Sequence, residues 1–243
     1  MASVNLTPMA RSQPRRKRIA QLEALVVEGD PSAATVVLFH GFGADMSDLA
    51  TLADMIQAPK GTNWVFPNGH LTVPLGGHYE GRAWFPISVS ELERSMAAQG
   101  QSLDWSNVVP PGLKKARQNA IALIEALKVP MDKLVLGGFS QGAMLAVDVT
   151  LHSPTPPKGL VVLSGTLVNE PEWKELAPKH RGLEFFQSHG FRDSVLGFPM
   201  AQRLEKLFKD AGWSGQLQRF EGAHEIPPEV LIQLGAYLRK RLA

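Results

Sequence analysis

Between residues 133 and 147 the chain reads Lys133-Leu134-Val135-Leu136-Gly137-Gly138-Phe139-Ser140-Gln141-Gly142-Ala143-Met144-Leu145-Ala146-Val147, and no other stretch restricts the fold as tightly. Its first half is continuously apolar, as a strand buried on both faces should be. Its second half is built from helix formers. The junction is G-x-S-x-G, with glycines at 138 and 142 flanking one serine. A strand-to-helix turn this sharp strains the serine, and bulky side chains two residues away on either side would clash. Ser140 then projects its hydroxyl above the sheet at a helix start, where the local field favours developing negative charge. Ser140 is the candidate nucleophile.

The remaining sequence supplies a sheet for this turn. Short apolar runs at 34–39, 63–66, 159–163, 183–187 and 216–220 read as further strands, and Leu22 to Val27 reads as an edge strand before the Gly29-Asp30-Pro31 turn. Helical patterns lie between them. In 112–128, Leu113, Ala116, Ala120, Ile121, Ile124 and Leu127 recur at three- and four-residue steps, and 45–57, 141–152, 198–211 and 228–242 are further candidates. Strand and helix alternate from residue 34 onward, which predicts an α/β domain with a mainly parallel sheet and helices on both faces. One segment breaks the alternation. Residues 67–111 are rich in Gly, Pro and aromatics, with one expected helix near 88–98. So long a connection is usually functional, and it is read as the wall and rim of a pocket.

Charge divides the chain unevenly. Residues 1–18 carry five basic and no acidic side chains, so a total of +2 leaves the remainder at −3. The basic residues read as a flexible solvated arm over 1–18 and not as a nucleic-acid surface. After Arg15-Arg16 the chain is soon interrupted by Gln21 and Glu23, unlike an export signal. No run approaches the ~18 apolar residues of a membrane span. A cytoplasmic protein without a stable membrane anchor, monomeric or homodimeric, is expected. The absence of cysteine excludes thiolate metal sites and a cysteine nucleophile.

A serine nucleophile needs a base, and the base an orienting acid, in chain order serine, acid, histidine. After Ser140 the histidines are His152, His180, His189 and His224. His152 and His180 are expected at the surface, and His189 precedes the best acid. His224 follows the strand 216–220 and precedes the last helix, so it is assigned as the base. Asp193, just beyond the strand 183–187, is the acid. Asp148 and Asp210 read as solvated helix charges, while Glu184 lies within a strand and Glu221 adjoins the base. Two backbone N–H groups are expected to bind the oxyanion, one from Gln141 and one from Phe42 in His40-Gly41-Phe42-Gly43. Position 46 is Met46, so this loop lacks the third glycine of a dinucleotide fingerprint. His70 and His78 lack a neighbouring carboxylate pair, so no metal and no cofactor is expected. Trp84, Phe85 and Leu167 are assigned to substrate binding.

Taken with Leu38 to Gly43, Phe66-Pro67-Asn68, Arg82 to Phe85, Leu163-Ser164-Gly165, His189-Gly190 and Gly222-Ala223-His224, the elbow pentapeptide resembles the phospholipase/carboxylesterase family of α/β-hydrolases. The likeness runs over roughly residues 22–242. It implies an α/β-hydrolase fold over 19–243 with no large cap domain, and the triad Ser140, Asp193 and His224. It also implies a serine hydrolase that cleaves small-molecule esters or thioesters through an acyl-enzyme. Esters of short to medium acyl chains are expected, with thioester or lysophospholipid cleavage as the alternatives. Two positions depart from the pattern, Pro86 where an Asp is frequent and Ala143 where a glycine is common.

Overall fold

The computed structural model describes residues 13–88 and 104–242. Its centre is an eight-stranded sheet in the order β1-β2-β4-β3-β7-β8-β9-β10. The strands are β1 (Arg15–Ile19), β2 (Leu22–Val27), β3 (Thr35–Phe39), β4 (Asn63–Pro67), β7 (Leu134–Phe139), β8 (Gly159–Leu163), β9 (Glu184–Gly190) and β10 (Ser214–Phe220). From β4 through β10 all neighbours in the sheet run parallel, and β2 and β1 each pair antiparallel.

Side-chain alternation explains why the central strands are apolar throughout. On β3, Val37 and Phe39 enter one core while Val36 and Leu38 enter the other. β7 and β8 divide in the same way, with Leu136 and Val162 on the first face and Val135 and Val161 on the second. The first face is covered by α2 (Leu113–Leu127), α3 (Gln141–His152), α4 (Glu170–Leu176) and α5 (Phe198–Asp210). The second is covered by α1 (Leu52–Met55) and α6 (Pro228–Leu242). Every residue of α3 from Gln141 to Leu151 is buried, so the helix that follows Ser140 is held by packing on all sides.

The structure corrects several expectations. Arg15–Arg18 are not part of an arm: they form β1 against β2, so β2 is an inner strand and not the edge. Arg16 and Lys17 pair with Glu23 and Glu28, and their charges blunt the exposed strand edge. Residues 1–12 lie outside the described residues. Only Leu52–Met55 of the expected 45–57 helix is helical. There the Asp45 carboxylate accepts the Ser47 N–H and hydroxyl, a local turn that competes with a helix. The irregular segment contains an antiparallel hairpin, β5 (Leu71–Pro74) and β6 (Glu80–Ala83). The helix expected near 88–98 lies outside the described residues from 89 onward. The short helix α4 has no counterpart in the sequence reading.

Candidate active site

The turn between β7 and α3 has the predicted strain. Ser140 sits at φ 54°, ψ −118°, a conformation that costs a non-glycine residue about 1–3 kcal/mol. Neighbouring strands hold it there. The Ser140 N–H donates to the Leu163 carbonyl at 2.9 Å, and the Ser140 carbonyl accepts from Ala143 and Met144. A Cβ at position 142 would lie 2.0 Å from the Phe39 carbonyl oxygen, and one at 138 would lie 2.4 Å from the Gly142 carbonyl carbon. Only glycine lets α3 start this close to the end of β3.

The expected acid and base, Asp193 and His224, lie in the loops after β9 and β10. Asp193 Oδ2 accepts the His224 Nδ1–H at 2.7 Å. Its other oxygen accepts the backbone N–H groups of Val195 and Leu196 at 2.9 and 2.8 Å. The bond to Asp193 leaves His224 Nε2 as the free lone pair, which is the tautomer a general base requires. Burial alone would raise the Asp193 carboxyl. The hydrogen bonds from His189 and His224, the attraction of a His224 ring that takes up a proton, and the Leu196 N–H outweigh burial and hold it well below the usual carboxylate range. The His224 ring lies against Phe139, the residue before Ser140, with centroids 4.8 Å apart. The Ser140 hydroxyl has no hydrogen-bond partner among the described residues. Such bonds commonly tighten only with substrate bound.

The loop after β3 lies beside the serine: a Cβ on Gly41 would meet Ser140 Cβ at 3.4 Å. The Phe42 N–H has no protein acceptor among the described residues, whereas Gly43 N–H donates to Arg82 O at 2.9 Å and Arg82 N–H to Ala44 O at 2.8 Å. The β5–β6 hairpin thus clamps the far side of this loop. His40 anchors its near side. Its Nδ1 is 2.7 Å from Gly41 O and its Nε2 accepts from Gly69 N–H at 2.9 Å, so the neutral ring carries its proton on Nδ1. Burial pushes the His40 imidazole down to about 4, against the bond to Gly41. The Gln141 side chain locks the other expected donor, accepting from Trp84 N–H at 2.9 Å and donating to Phe85 O at 2.7 Å.

Other expected site residues fall elsewhere. Trp84, Phe85 and Leu167 are fully buried in the first core and present no surface to a ligand. Trp84 instead donates its indole N–H to His40 O at 2.8 Å and supports the loop from behind. Asp148 is not solvated: its buried side chain meets Arg117 Nη1 at 3.1 Å and Trp173 Nε1 at 3.2 Å. His152 joins that cluster, and His180 is buried with Nε2 3.2 Å from Leu151 O, so neither is a surface histidine. Asp148, His152 and Glu172 could offer a cation three ligand atoms within 4.8 Å of one another. The Arg117 guanidinium already lies among them, so the group fits an internal ion-pair cluster.

Sequence reasoning missed Ser164 as a positioning group. Its N–H donates to Ser188 O at 2.9 Å and its hydroxyl to Glu225 O at 3.3 Å, which ties the end of β8 to β9 and to the loop of His224. The Leu163-Ser164-Gly165 triplet was visible in the sequence, but its reach to Glu225 is a long-range contact.

A strained serine between strand and helix, an Asp–His pair on the following strand ends and a glycine loop beside the serine together define a serine hydrolase with the α/β-hydrolase fold. The profile of the phospholipase/carboxylesterase family matches residues 20–242. The chain is 25% identical over 222 residues to acyl-protein thioesterase 1 of Candida albicans, covering 87% of this chain and 93% of that one. Among solved structures, esterase PE8 aligns with a TM-score of 0.74 and 25% identity over 91% of this chain and 99% of that one. The acyl-protein thioesterase 2 of Zea mays aligns with a TM-score of 0.66 and 22% identity over 90% and 99% of the two chains. The chain belongs to the phospholipase/carboxylesterase family of hydrolases.

Proposed function

We propose that Ser140, His224 and Asp193 hydrolyse carboxylic esters of short to medium acyl chain. The observation that carries this reading is the Asp193–His224 bond of 2.7 Å, with the His224 ring packed on Phe139, the residue before the strained serine. Ser140 Oγ attacks the ester carbonyl carbon as His224 Nε2 takes its proton. The Phe42 and Gln141 N–H groups receive the oxyanion, and the alcohol leaves with the proton from His224. Water repeats the steps and releases the acid. Exposed apolar side chains support an apolar substrate. Leu75 reaches over Gly43 on the oxyanion side, and Phe191 stands exposed in the loop of Asp193.

Thioester cleavage at the same serine is a second reading, favoured by the likeness to acyl-protein thioesterases. Among the described residues no helix is long and apolar enough to cross a membrane. A cytoplasmic location and a monomeric or homodimeric state complete the proposal, and fractionation and sedimentation test them.

Replacing Ser140 by Ala is expected to lower kcat on p-nitrophenyl butyrate by ~10⁴-fold or more and to abolish fluorophosphonate labelling. Labelled S140A with near wild-type turnover would sink the assignment. A matched panel of acyl esters and acyl thioesters separates the two substrate classes.

A further inference from the structure

We propose that His189 is a positioning residue for the acid: a neutral imidazole whose Nε2–H holds the Asp193 carboxylate toward His224. The inference rests on the triad proposed above and extends it to a histidine that no step of that chemistry uses.

His189 lies near the carboxyl end of β9, four residues before Asp193, and its side chain is fully buried. Its Nε2 is 2.6 Å from the Leu196 carbonyl oxygen. A carbonyl can only accept, so Nε2 carries the hydrogen. The same nitrogen lies 3.1 Å from Asp193 Oδ2, the oxygen that accepts from His224, so its polar N–H edge sits against the carboxylate. His189 Nδ1 is buried without a hydrogen-bond partner among the described residues. A proton there would leave an unpaired buried donor on a charged ring, whereas a bare lone pair at that position costs far less. The neutral Nε2–H tautomer therefore fits the surroundings.

The remaining contacts agree. The ring meets Phe198 edge-on, with centroids 6.2 Å apart. Arg219, opposite His189 in the β10 register, stacks on Phe191 and pairs with Glu221, so its charge is engaged elsewhere. Asp193 is the titratable group that touches His189 directly, and His224 lies just beyond it on the same oxygen. With two backbone N–H groups bonded to Oδ1, the His224 N–H bonded to Oδ2 and His189 Nε2 3.1 Å from that same oxygen, the carboxylate has one orientation available. A neutral donor fixes that orientation without cancelling the negative charge that stabilises the His224 imidazolium. A charged His189 would cancel it.

His189→Met removes the donor and His189→Gln replaces it. In H189M, kcat/KM is expected to fall about tenfold, the scale of one hydrogen bond to a charged group. A carboxylate that has lost a donor is more basic and favours protonated His224, so the acid limb of the kcat/KM–pH profile should move to higher pH. H189Q should restore most of the activity and the position of the limb. A loss of activity in H189M with an unmoved limb, or H189Q as impaired as H189M, would assign His189 a packing role and overturn the inference. Long-range proton–nitrogen NMR of the unmodified protein needs no variant to fold. A pyrrole-type Nε2 and a pyridine-type Nδ1 at neutral pH are expected, and an imidazolium pattern or a proton on Nδ1 would overturn the proposal. D193N with near wild-type activity would break the triad itself, a separate failure.

Discussion

Two buried aspartates of this protein each meet a histidine four residues away along the chain: Asp148 with His152, and Asp193 with His189. Asp148 projects from the middle of α3 and is met by Arg117 and Trp173 from α2 and α4, with no backbone donor among its hydrogen bonds. Burial pushes its carboxyl up, and Arg117, His152 and Trp173 only partly offset it. Asp193 lies in a loop just past a strand end, where backbone N–H groups turn inward; its donors are those N–H groups and the His224 imidazole, with His189 Nε2 3.1 Å away. Its carboxyl is driven the opposite way. A buried Asp–His pair is therefore no signature of catalysis. What distinguishes Asp193 is a negative charge that no guanidinium meets among the described residues, bonded to an imidazole packed on the residue before Ser140.

Asparagine at each aspartate is the sharpest way to break this contrast. D193N should cost ~10⁴-fold in kcat, because the amide favours the wrong tautomer of His224, with little loss of secondary structure. D148N should leave the turnover of folded enzyme intact. It should lower stability by about 3 kcal/mol in denaturant titrations, because Arg117 stays buried without its acid. Similar activity losses in both variants would erase the distinction.

A further histidine, the buried His40, sharpens the comparison because its ring hydrogen bonds are to backbone groups alone. Its folded value of about 4 lies below the ~6.5 of an unfolded histidine. The unfolded chain therefore binds the extra proton first as pH falls, and stability should drop between those two values by roughly 3 kcal/mol. Calorimetry of H40Q against wild type should show a flatter dependence in that window. Asp193 adds the loss expected of a depressed carboxyl: its contribution is present above the unfolded value near ~3.9 and fades as the pH falls further. Ser164→Ala should have the smallest effect, below about 1 kcal/mol in stability, with a few-fold drop in kcat as the His224 loop loses one tether. Unchanged kcat would make Ser164 a structural residue only.

Sequence legibility followed the range of each constraint. The turn at Ser140 is local, since a strand, two glycines and a helix start are all encoded within a few residues, and the structure places Ser140 there in the strained conformation. Strands buried on both faces announce themselves as unbroken apolar runs, and β3, β7 and β8 appear where those runs lie. Solvation is not local. Asp148 looks like any helix charge until α2 and α4 close over it, and Trp84 looks like a pocket wall until its indole N–H meets His40 O. The β5–β6 hairpin carries little alternation of its own and is fastened to the Gly43–Ala44 backbone through Arg82. The β1 strand is a run of charges that pairs because β2 offers a free edge.

By itself the sequence determined the alternation of strand and helix and the serine turn. Each of these depends on backbone sterics and burial over a few residues. The tertiary structure alone decided which donors hold Asp193 against His224, which histidines are buried and which ring nitrogen of each meets an acceptor. Those depend on donors that arrive from β8, the β9–α5 loop and the 69–85 segment, distant in sequence and brought together only when the sheet forms.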